Sequence, residues 1–107
     1  EGIYRVLLQL KQYQKPIYIT ENGLADAEDK KREDFIKNHL KWIHKAIEDN
    51  LDVRGYFYWS LMDNFEWSDG FGPKFGLVEI NRETLERKIR PSALAYKKIC
   101  EENKVEI

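Results

Sequence analysis

At 107 residues the chain is less than half of the ~250 residues that a closed eight-stranded α/β barrel requires, so it is at most one modest unit of structure. Lys and Arg together number 18 against 19 Asp and Glu, a formal charge of -1, which excludes the basic footprint of a nucleic-acid-binding protein. Apolar residues make up 42% and aromatics 13%, too much packing material for a disordered chain, yet no apolar run approaches the ~20 residues of a membrane span.

Glu1 to Arg5 lacks the charged and apolar regions of a signal peptide. The single cysteine, Cys100, excludes an internal disulfide, favours a reducing, cytoplasmic compartment, and reads as a small core residue. His39 and His44 stand five apart on a helical pattern, too far around it to share a metal, and read as surface or rim groups; no metal and no cofactor are called for.

From Ile3 the apolar residues Val6, Leu7, Leu10 and Tyr13 recur at helical spacing, and Pro16 ends that helix. Ile17 to Thr20 follows as a β-branched and aromatic run, predicted to be a parallel-type strand buried on both faces. After Glu21-Asn22-Gly23 turns the chain, a polar loop runs to about Lys31, with Asp29 placed to cap the next helix. The charge run Asp29 to Asp34 reads as a solvated loop and helix start. Between Arg32 and about Asn50 the apolar positions Ile36, Leu40, Ile43 and Ile47 predict the best helix in the chain, with Phe35, His39, Trp42 and Ala46 as an adjoining row. Val53 to Ser60 is a second strand with both faces covered. Beyond it come an irregular stretch with Gly70, Gly72 and Pro73, a hairpin from Phe75 to Ile89, and a closing helix from Pro91 to about Asn103.

Strand, helix and strand make one βαβ unit, and such a unit is physically incomplete alone. Its outer strand edges need hydrogen-bond partners and its apolar faces need cover, so the chain reads as part of a larger sheet that self-associates if left open. In parallel sheets ligand chemistry collects just past the carboxyl ends of the strands, here Glu21-Asn22 and Trp59-Ser60. Taken locally, Glu21 reads either as a solvated acid before an Asn-Gly turn or as a carboxylate held by a strand tip toward a pocket. The segment Trp59-Ser60-Leu61-Met62-Asp63-Asn64-Phe65-Glu66-Trp67 places two indoles and a carboxylate within nine positions. Pyranose C–H faces stack on indoles while a carboxylate accepts a pair of sugar hydroxyls, so this loop reads equally as a sugar-binding surface or as core aromatics with Glu66 on the rim.

The motifs Tyr18-Ile19-Thr20-Glu21-Asn22-Gly23 and Trp59 to Trp67, with Gly70-Phe71 and Phe75-Gly76-Leu77-Val78, resemble glycoside hydrolase family 1 in order and spacing. The resemblance implies that residues 1–107 are the C-terminal part of a single (β/α)8 barrel catalytic domain, with Ile17–Thr20 as strand seven and Val53–Ser60 as strand eight. The helices before, between and after them are then outer partners, and the hairpin lies beyond strand eight. It further implies a retaining β-glucosidase or β-galactosidase in which Glu21 is the nucleophile, Trp59, Glu66 and Trp67 bind the glycone, and Phe75 lies near the sugar's C6.

A retaining glycosidase needs a second carboxyl group about 5 to 5.5 Å from the first. In the family that acid/base belongs to an Asn-Glu-Pro motif, which this sequence lacks, so the segment alone is expected to be inactive and to need the remaining N-terminal barrel portion, in the same or a separate chain. Glu66 falls on a hydroxyl-binding position, and Asp63 reads as a brace that bonds backbone groups, so neither is assigned as the acid. A carboxylate at Glu66 would also repel a sugar 6-phosphate, favouring unphosphorylated β-glycosides. The alternative is a non-catalytic glycan-binding module or a pseudo-enzyme relative that uses Trp59, Glu66 and Trp67 to hold a sugar without cleaving it.

Overall fold

The computed structural model describes residues 1–106, and its elements run in the predicted order. Helix α1 (Gly2–Leu10) continues through a tight turn at Lys11–Tyr13 before strand β1 (Ile17–Asn22). Helix α2 (Arg32–Glu48) leads to strand β2 (Val53–Tyr58), and a hairpin of β3 (Val78–Ile80) and β4 (Arg87–Ile89) precedes helix α3 (Pro91–Glu102). Pro91 opens α3 at a position where its missing N–H has no intrahelical partner to lose.

Strands β1 and β2 pair in parallel, with α2 as the crossover, and β3 and β4 pair antiparallel. The core lies on one side of the parallel pair, where Leu7 of α1 and Ile43 and Ala46 of α2 pack with Leu51. Ile17, Ile19, Val53 and Tyr56 complete that cluster from the strands. Each buried Leu or Ile side chain there contributes about 1.5–3 kcal/mol. Tyr4 ties α1 to the end of α2 by donating its hydroxyl to Asp49 Oδ2 at 2.5 Å.

The strands depart from the expectation of burial on both faces. Tyr18 of β1 and Phe57 of β2 remain 56% and 58% exposed, because among the described residues no element covers the face opposite α1 and α2. The alternation of half-buried and exposed positions along β1 follows from this one-sided cover. Val6 and Tyr13 of the first helical segment and Ile47 of α2 are also exposed, although all three belong to apolar rows. Cys100 is exposed and not a core residue.

Candidate active site

Register along the parallel pair brings the two strand tips side by side. Ile19 lies opposite Tyr56 and Asn22 opposite Tyr58, so β1 advances three residues where β2 advances two. That extra residue is a bulge falling across Thr20 and Glu21, the kind of irregularity that re-aims a side chain at the end of a strand. Just beyond, the Trp59 amide donates to Asn22 O at 3.0 Å, and the Tyr56 hydroxyl donates to Asn22 Oδ1 at 3.0 Å. Burial pushes the Tyr56 phenol well up, with the neighbouring phenols Tyr96 and Tyr58 adding to the effect, so it keeps the proton that this bond requires. Gly23 is obligatory: a Cβ there would lie 1.8 Å from the Trp59 carbonyl oxygen. Asn22 and Gly23 therefore fix backbone, and Glu21 projects from a tip pinned on its far side.

The loop after β2 is equally constrained. Ser60 N–H donates to Phe75 O at 3.2 Å, Leu77 N–H to Ser60 O at 2.9 Å, Val78 N–H to Leu61 O at 2.9 Å and Asp63 N–H to Val78 O at 3.0 Å. Residues 60–63 thus run as a short ribbon against 75–78, and Gly76 allows the approach, since a Cβ there would meet Asp63 N at 2.3 Å. The peptide bond between Trp59 and Ser60 is cis. At the loop's outer end Glu66 N–H donates to Gly70 O at 2.7 Å, and Trp59 Nε1 points to Glu66 Oε1 at a long 3.4 Å. Phe65 and Phe71 pack edge to face at 5.4 Å, and the Arg82 guanidinium lies 4.4 Å over the Phe71 ring.

Two buried arginines stand behind these tips. Arg90 reaches Asp63 through both ends of its fork, at 2.9 and 3.0 Å, and also donates to Gly76 O at 2.6 Å. Asp63 is 3% exposed, and its Oδ1 accepts the Gly76 N–H at 2.9 Å as well. Burial alone would raise the Asp63 carboxyl, but the Arg90 and Gly76 hydrogen bonds and the Arg90 charge together hold it below its ordinary value of 3.8. Arg32, fully buried, pairs with Asp29 and donates to the Tyr58 hydroxyl at 2.9 Å and to Asp26 O and Lys74 O at 2.7 Å each.

The sequence-predicted site residues fall into two groups. Glu21, Trp59, Glu66 and Trp67 all extend from the carboxyl ends of β1 and β2 or the loop beyond, with Trp67 82% exposed. Phe75 is half-buried beside β2, its carbonyl accepting the Tyr58 hydroxyl at 3.0 Å. Glu21 and Trp59 border different clefts. Glu21 borders a cleft of about 390 Å³ with Ile3, Leu7 and His39, and Trp59 borders one of about 440 Å³ with Asp63, Arg82 and Arg87.

Two readings of charged residues are corrected. Asp29 does not cap α2; Asp26 does, its Oδ2 accepting Lys31 N–H at 2.7 Å and Arg32 N–H at 3.1 Å, because Asp29, at φ 56°, turns its carboxylate toward α3. There it accepts Ser92 N–H at 2.9 Å and Ser92 Oγ–H at 2.6 Å. Nor is the run from Asp29 to Asp34 solvated throughout, since Arg32 and Asp29 are its buried members. One signal was present in the sequence: a cation in the first turn of a helix faces the positive end of the helix dipole and needs a partner of its own.

A parallel βαβ unit with open outer edges, carrying carboxylates and indoles at the carboxyl ends of its strands, defines a segment of a larger α/β protein. The chain belongs to glycosyl hydrolase family 1, whose model matches residues 1–105. A β-galactosidase of Sulfolobus acidocaldarius is 44% identical over 104 residues, covering 96% of this chain and 21% of its own length. Beta-glucosidase A of Acetivibrio thermocellus is 42% identical over 114 residues, covering 96% and 25% respectively. Among solved structures, a β-glycosidase from Pyrococcus horikoshii superposes with a TM-score of 0.95 at 54% identity, over 99% of this chain and 25% of that one. The hyperthermophilic β-glucosidase of Pyrococcus furiosus gives 0.94 at 42% identity, over 98% and 22%. The chain therefore spans between a fifth and a quarter of the relatives it matches.

Proposed function

We propose that this chain is the strand-seven to strand-eight portion of a family 1 (β/α)8 barrel and supplies the nucleophile and glycone subsite of a retaining β-glycosidase. The observation that carries the reading is the pairing of the two strand tips, with the bulge at Thr20–Glu21 beside the Trp59 amide that bonds Asn22 O. Glu21 and Trp59 thereby start from adjacent, rigidly held backbone, as a nucleophile and its sugar platform must. The open face bearing Tyr18 and Phe57 is where strands of the remaining barrel pack.

In the reaction, a Glu21 carboxylate oxygen forms an ester with the anomeric carbon as the bond to the aglycone oxygen breaks, that oxygen leaving with a proton from an acid outside this chain. Water, deprotonated by the same group acting as base, then cleaves the ester and restores the original configuration. Glu66 accepts hydroxyls of the glycone, Trp59 and Trp67 present ring faces to its C–H surface, and Phe75 lies toward C6. Unphosphorylated β-glucosides and β-galactosides are the substrate class, and no metal or cofactor takes part. The test is complementation: the chain mixed with the remaining barrel portion hydrolyses an aryl β-glucoside, and Glu21→Gln abolishes that activity. Failure to recover activity, or activity unaffected by Glu21→Gln, overturns the proposal.

A further inference from the structure

Two clamps formed by residues far apart in sequence converge on the start of α3. From Ser92 the amide and hydroxyl both bind the Asp29 carboxylate, which in turn holds Arg32 against Tyr58 at the end of β2 and Lys74 O in the following loop. From Arg90, two positions earlier, the guanidinium holds the Asp63 carboxylate and Gly76 O. One clamp seizes the loop that follows Glu21, and the other seizes the ribbon that joins Trp59 to Glu66. We propose that this corner is a positioning element: Arg90 and Ser92, through Asp63 and Asp29, set the spacing between the Glu21 strand tip and the Trp59–Glu66 loop. The inference rests on the glycosidase reading above and adds residues to it that touch no substrate.

Stability alone does not call for this arrangement. Replacing a buried ion pair by apolar side chains of similar volume is often neutral or stabilising, whereas directional bonds between buried charges fix one geometry. Here Arg90 is 4% exposed, and its hydrogen bonds go to groups in the ribbon and none to a surface side chain. Asp63 lies three residues before Glu66 and four after Trp59, and its own N–H is part of the ribbon. A shift of Asp63 is therefore carried along the ribbon to Glu66, and a displacement of about 1 Å in a catalytic site costs on the order of 100-fold in rate.

The test is a double-substitution cycle in the assembled enzyme, this chain together with the rest of the barrel, using an aryl β-glucoside. Asp63→Asn keeps the side chain's shape but removes its charge, and it is combined with Glu66→Gln. The expected result is a loss in kcat/KM of at least about tenfold with Glu66 present and less than about threefold once Glu66 is replaced, since Asp63 acts through it. Arg90→Lys, which cannot make the bidentate contact, runs the same cycle and carries the test if Asp63→Asn does not fold by circular dichroism. Equal losses in both backgrounds, or a loss under twofold with Glu66 present, overturn the proposal and leave the corner a structural brace. Absence of turnover in the unsubstituted enzyme instead overturns the glycosidase reading, and this inference with it.

Discussion

Behind the tips of β1 and β2 two ion pairs are buried, Arg32 with Asp29 and Arg90 with Asp63, and the Asp29 carboxylate accepts the Ser92 N–H in the first turn of α3. In front of the same tips Glu21 and Trp67 stand open, and the rings of Tyr18 and Phe57 on the strands are uncovered. The contrast separates two tasks. Within this chain buried charges hold the strand tips, whereas in the reading proposed above closing a pocket around a sugar falls to surfaces that other strands provide.

The sharpest way to break this division is to alter the front without touching the back. Glu21→Gln in the assembled enzyme is expected to lower kcat by on the order of 10⁴-fold, read by steady-state kinetics. Thermal unfolding should move little, since Glu21 takes no part in the buried ion pairs behind the tips. A large fall in stability would place Glu21 among the structural charges and erase the distinction.

Altering the back should do the reverse. Asp63→Ala leaves the Arg90 guanidinium buried without its partner, and urea unfolding of the assembled enzyme should show a loss of about 3–5 kcal/mol. The same pair predicts a pH dependence. The folded Asp63 carboxyl titrates below its ordinary 3.8, so its contribution is fully present above that value and is lost as pH falls through the lower folded value. Unfolding measured from pH 6 downward should therefore steepen in acid, and Asp63→Asn should flatten that slope.

Smaller effects sharpen the boundary. Tyr56→Phe removes the hydroxyl that holds Asn22 Oδ1 and should cost about 1 kcal/mol, seen as a shift in the denaturation midpoint. Cys100→Ser, at an exposed position of α3, should change stability by less than about 0.5 kcal/mol in the same experiment.

The sequence carried the order and type of the elements because each long apolar pattern had its own period: 3.6 along Ile36 to Ile43, and short β-branched or aromatic runs at Ile17 and Val53. The candidate residues stood out because Glu21 and Trp59 lie at strand ends and Glu66 and Trp67 lie in the loop beyond the second. The backbone-binding role read for Asp63 is present in the Gly76 N–H bond. What it did not carry depends on contacts distant along the chain. Asp29 meets Ser92 across 63 positions, and Asp63 meets Arg90 across 27, so no local window separates a buried Asp or Arg from the solvated charges beside it. One-sided burial of the strands was hidden for a related reason: composition records that both faces want cover, and not whether this chain supplies it.

Covalent trapping of the assembled enzyme tests the central claim most directly. A 2-deoxy-2-fluoro β-glucoside slows breakdown of the sugar ester, and peptide mass spectrometry then locates the attached sugar. The account predicts one fluoroglucosyl group on the peptide containing Glu21, absent in Glu21→Gln. A label on any other carboxylate, or steady turnover of an aryl glucoside with no label on Glu21, would contradict it.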